Sequence, residues 1–75
     1  MRHPGQVTFA DLDAGTEKVV AVDTLPEAMR FGTSADGVTL PVTRVEARLR
    51  GKQRVVRELG PGGEVLRSTV QRSIF

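Results

Sequence analysis

Seventy-five residues with a formal net charge of +2, 39% of them hydrophobic and 27% charged, suit one small folded domain rather than a disordered chain. The absence of Cys excludes disulfides, thiol chemistry and Cys-based zinc sites, and a single His, His3, gives a metal centre almost nothing to build on. No stretch approaches the roughly 18 apolar residues of a membrane-spanning helix, and no apolar run follows Met1-Arg2-His3-Pro4-Gly5, so neither a membrane nor a secretory leader is expected and the expected location is the cytoplasm.

Residues 1–5 read as a flexible tail. Gln6-Val7-Thr8-Phe9-Ala10 is short and β-branched and predicts a strand, and Asp11 to Thr16, with two Asp and a Gly, predicts a turn. Lys18 to Asp23 predicts a second strand. Pro26 to Phe31 predicts one or two helical turns, with Thr24 as N-cap and Gly32 as C-terminal stop. Ser34-Ala35-Asp36-Gly37 is a turn. From Thr43 to Arg50 the chain alternates without a break, Val45, Ala47 and Leu49 on one side and Arg44, Glu46, Arg48 and Arg50 on the other, which is the period of a half-buried strand. Val38, Leu40 and Val42 alternate in the opposite parity, so a bulge or bend is expected around Pro41–Thr43. Gly51-Lys52 predicts a two-residue type II′ hairpin turn, which sets Glu46 opposite Arg57. Gly60-Pro61-Gly62-Gly63 is the least ambiguous turn, and Glu64 to Arg72 the last strand.

The expected fold is therefore mainly β: a small antiparallel meander or barrel with one short helix. The alternative is an α+β fold with a helix over about 42–59, because Val42, Val45, Leu49, Val56 and Leu59 also fit heptad spacing between Pro41 and Gly60. Gly51 near its middle and Lys52 on its apolar seam count against that helix.

Chemistry-bearing constellations are few. With one His and no Cys or Tyr, the usual nucleophile–base pairs cannot be assembled, and no Gly-Lys-Ser/Thr phosphate loop occurs, so no enzymatic activity and no cofactor are expected. Asp11-Leu12-Asp13-Ala14-Gly15-Thr16-Glu17 opens like a calcium loop, but Thr16 stands where that loop needs Gly and Val22 where it needs its closing Glu; a polar turn is the expected reading. Met1-Arg2-His3 has the spacing that wraps Cu(II) or Ni(II) in nitrogens, and reads as a frayed terminus instead.

Charge is more informative in its distribution than in its amount. Nine Arg against two Lys, with no Asn, is what the codons of a GC-rich genome yield. Yet residues 1–37 hold three basic and six acidic groups, and residues 38–75 eight basic and three acidic. The basic groups Arg44, Arg48, Arg50, Lys52, Arg54 and Arg57 cluster around the predicted hairpin, with Arg50, Lys52 and Arg54 near its tip. Such a tip can meet phosphates or the carboxylates of a protein partner. Only Phe9, Phe31 and Phe75 are aromatic, too few for the stacking platforms of single-strand binders. Ile74-Phe75 is the other interaction candidate, an apolar pair that a neighbouring chain would cover.

A core this small stabilises a domain only marginally, and with no disulfide available, self-association or a partner subunit is the expected compensation. The expectation is a non-enzymatic protein-interaction or assembly module, a homo-oligomer or a subunit of a complex. The alternative is a nucleic-acid-binding hairpin domain.

Overall fold

The structure is a computed structural model and describes residues 5–72. Strands β1 (Gln6–Asp11) and β2 (Thr16–Ala21) form an antiparallel hairpin with Val7 opposite Val20 and Phe9 opposite Lys18. Asp11 shapes its turn: one carboxylate oxygen accepts the N–H groups of Asp13 and Ala14, each at 3.1 Å, while Gly15 sits at φ +69° and donates to the Asp11 carbonyl at 2.9 Å. The Gly5 carbonyl accepts from Val22 N–H at 3.0 Å, so the last residue of the expected tail is tied to the fold; residues 1–4, His3 among them, lie outside the described residues.

The chain then crosses one face of the sheet. The single short helix expected over 26–31 is instead a pair of 3-10 turns, Val22–Thr24 and Glu27–Met29, followed by strand β3 (Phe31–Thr33). Thr24 is no N-cap, because its hydroxyl donates to the Ala21 carbonyl at 2.6 Å. Helix formation stops early because the Arg30 carbonyl, which a continuing helix would need, accepts Val42 N–H at 2.9 Å. The Ser34–Gly37 turn forms as expected and leads to β4 (Thr39–Pro41), which pairs with β3 in a separate two-stranded sheet.

Strands β5 (Arg44–Arg50), β6 (Gln53–Leu59) and β7 (Val65–Arg72) complete a five-stranded sheet of order β2-β1-β5-β6-β7. The strands over 44–50 and 53–59 replace the helix considered for 42–59. Gly51, at φ +63°, and Lys52 make the two-residue turn, and no described residue other than Gly has positive φ, which is the type II′ pattern. The register pairs Glu46 with Arg57, as the turn predicts. Two expectations need correcting. The sheet is not wholly antiparallel, since β1 and β5 run parallel with Phe9 beside Val45. A parallel pair needs a long connection, here β2 followed by a crossover over residues 22–43, and that crossover carries the small sheet. Nor does the sheet close into a barrel, because β2 and β7 remain unpaired edges. Of the bulge or bend expected at Pro41–Thr43, the chain makes the bend: β4 ends at Pro41 in one sheet and β5 begins at Arg44 in the other.

Pairing assigns every strand residue to a face. The inner face carries Val7, Phe9, Val20, Val45, Ala47, Arg54, Val56, Glu58 and Arg67; the outer face carries Glu17, Val19, Arg44, Glu46, Arg48, Arg50, Gln53, Val55, Arg57, Val70 and Arg72. The core forms where the crossover lies on the inner face: Val7, Val42, Val45 and Leu66 are buried, with Phe9, Val20, Val22, Leu25, Leu40 and Val56 packed around them. Val42, fully buried at the junction of the two sheets, bridges them. Gly32 of β3 approaches β7 so closely that a Cβ there would lie 2.7 Å from Leu66 Cβ, so Gly is required for the small sheet to seat.

Candidate functional site

The residues proposed from sequence divide into three groups. Arg44, the first residue of β5, and Arg57, within β6, lie on the outer face and are used within the chain. Arg44 bonds Glu46 at 2.9 Å and Glu17 at 3.0 Å, and Arg57 approaches Glu46 at 3.6 Å, a ladder running from β2 through β5 to β6. The hydrogen bond with Glu46 first, and that with Glu17 second, raise the Arg44 pKa above its ordinary value, against a smaller opposing effect of burial. This ladder joins the acidic and basic halves of the sequence inside one subunit, so part of the charge split is spent on the fold.

Arg48, Arg50, Lys52 and Arg54 gather at the opposite end of β5 and β6, but not as one cluster. Arg50 and Arg54 lie on opposite faces, because Arg50 pairs with Gln53 and Arg54 with Leu49. A fifth cation, Arg72, joins them: β7 brings it beside Gln53, so Arg50, Gln53 and Arg72 form one cross-strand row on the outer face. Among the described residues, none of these five cations takes part in an ion pair. Sequence reasoning missed Arg72 because its neighbourhood depends on the register of β7, and that register is shifted by an irregularity at Glu58/Leu59 that no local pattern announces.

The acidic turn borders this end. Leu12 N–H donates to the Ala47 carbonyl at 2.9 Å, extending the parallel pairing, and an Asp13 carboxylate oxygen accepts Leu49 N–H at 2.6 Å. Asp13 and one carboxylate oxygen of Asp11 thus serve backbone amides, the polar-turn role, and the second Asp11 oxygen accepts none of them. Ile74 and Phe75 lie outside the described residues.

A further set of residues was not visible as a site in the sequence. The crossover covers only part of the inner face, and beside it runs a groove of about 520 Å³ whose apolar lining is Phe9, Met29, Val45, Ala47 and Val56. Met29 comes from the second 3-10 turn; the rest come from β1, β5 and β6. Asp11 rims the groove on the β1 side and Arg54 on the β6 side. At the covered end, Arg67 bonds Glu58 at 3.3 Å and the Ala28 carbonyl at 3.4 Å, tying the crossover down. Glu58 is buried, and among the described residues its Oε1 has no hydrogen-bond partner.

No helix among the described residues is long and apolar enough to cross a membrane. No protein-family model, curated protein or solved structure matches the chain.

Proposed function

We propose that the protein is a non-enzymatic assembly module that docks through its inner-face groove, and that the occupant is a second copy of the same chain. The observation that carries this reading is the open apolar groove, in which Val45, Ala47 and Val56 continue the core beyond the edge of the crossover. Only six hydrophobic residues are buried among the described residues, a thin core for 75 residues without a disulfide. Packing one inner face on another extends that core, as two sheets do in a sandwich about 10 Å thick.

A second copy fits the rims. Asp11 and Arg54 stand on opposite sides of the groove, so a twofold axis brings Asp11 of each copy toward Arg54 of the other. Such rim pairs set orientation more than affinity, and the apolar floor supplies the driving force.

Size-exclusion chromatography with light scattering over a dilution series tests the reading. The expected result is a concentration-dependent dimer that Ala47→Glu weakens by more than tenfold, since the new carboxylate would be buried in the interface. Val19→Glu, on the exposed outer face, should leave it unchanged. A monomer at every concentration would overturn the proposal.

A further inference from the structure

The basic end of the outer face needs a different account, because it faces away from the groove. Four cations converge there: Arg48 and Arg50 on β5, Lys52 in the turn and Arg72 on β7. Arg48 and Arg50 are two residues apart on one strand, about 7 Å, while Arg50 and Arg72 flank Gln53 from strands about 10 Å apart. All four are exposed. The nearest carboxylates of the acidic turn, Asp11 and Asp13, already accept backbone N–H groups, and even counting both, this end carries net positive charge. Elsewhere on the same face the arginines are neutralised by Glu17 and Glu46, so the excess charge is confined to one end.

The geometry points to a phosphate-binding surface for the backbone of duplex nucleic acid. A protein interface needs an apolar centre, and here the apolar side chains near the cations are Leu12, Val55 and Val70, with Arg48 set among them. A duplex backbone presents one charge per about 1.7 Å of axis and asks only for cations at intervals, which this end provides. Arginine forks bind phosphate oxygens bidentately, and Gln53 between two of them adds an amide donor. No aromatic ring lies among these residues, so bases are not stacked and binding is independent of sequence. The site is separate from the groove, so it does not depend on self-assembly.

Fluorescence anisotropy of a short labelled DNA duplex of mixed sequence, titrated with the full chain over a salt series, tests this. Four phosphate contacts predict a slope of log K against log salt of about −3.6, or about a hundredfold loss between 50 and 200 mM. The triple variant Arg48→Gln, Arg50→Gln, Arg72→Gln should reduce the slope to about −0.9, whereas Lys18→Gln, on the inner face, should not change it. The charge-conserving pair Arg50→Lys, Arg72→Lys should keep the slope and lose only a few-fold in affinity, which separates phosphate contact from misfolding. Ala47→Glu should still bind the duplex, so failure of the assembly proposal and failure of this one are distinguishable. No binding at 50 mM salt, an unchanged slope in the triple variant, or equal displacement by polyglutamate, the mark of an acidic protein partner, would each overturn the proposal.

Discussion

Gly32→Ala probes the contact that positions the crossover over the inner face. Gly32 does not occupy positive φ, so the substitution carries no backbone strain and its effect is steric. The added methyl would stand 2.7 Å from Leu66 Cβ, closer than real Cβ atoms approach one another. That atom is fixed to the β7 backbone, so no rotamer of Leu66 relieves the clash; β3 or β7 must shift. Overpacking of this kind costs about 1–3 kcal/mol, and in a domain of this size each kcal/mol lowers the melting temperature by about 4–8 °C. Thermal melts followed by circular dichroism would read a drop of about 4–24 °C. Because Cβ is the obstacle, Leu66→Ala does not rescue it: the double variant is less stable than either single one, with a cavity cost of about 2–5 kcal/mol for the lost side chain added to the clash. Wild-type stability of Gly32→Ala, or rescue by Leu66→Ala, would refute the seating of β3 on β7.

Other substitutions test separate parts of the fold. Val42→Ala, at the fully buried junction of the sheets, should cost about 2–3 kcal/mol in urea unfolding, from two lost methyls and the cavity they leave. Gly51→Ala should cost about 1–2 kcal/mol and raise amide exchange at the ends of β5 and β6, because Gly51 sits at φ +63°. Arg67→Ala should cost about 1–3 kcal/mol by leaving the buried Glu58 carboxylate without its cation, and adding Glu58→Gln should recover part of that loss, as a double-mutant cycle would show.

Much of the sheet was legible in the sequence because its signals are local. Alternation through Arg44–Arg50 and the Gly51-Lys52 turn together set the β5–β6 register, down to Glu46 facing Arg57. The Gly60–Gly63 turn likewise marks the β6–β7 connection. The parallel pairing of β1 with β5 was not legible, since it joins segments more than thirty residues apart and leaves no mark in either. The small sheet escaped for a related reason: Phe31–Thr33 and Thr39–Pro41 are three-residue strands, too short for a period to register. The site residues follow the same division. The cations around the hairpin were visible as a cluster, but their separation into paired Arg44 and Arg57, outer-face Arg48 and Arg50, and inner-face Arg54 depends on facing strands. The groove requires Met29 to meet β1, β5 and β6, which only the crossover accomplishes.

The assembly proposal is tested most directly by isotope-filtered NMR on a mixture of labelled and unlabelled protein, which detects only contacts between copies. The account predicts cross-peaks from the Val45, Ala47 and Val56 methyls of one copy to groove residues such as Phe9 and Met29 of the other, lost in Ala47→Glu. Cross-peaks confined to outer-face residues such as Val19 and Val70, or none at millimolar concentration, would contradict it.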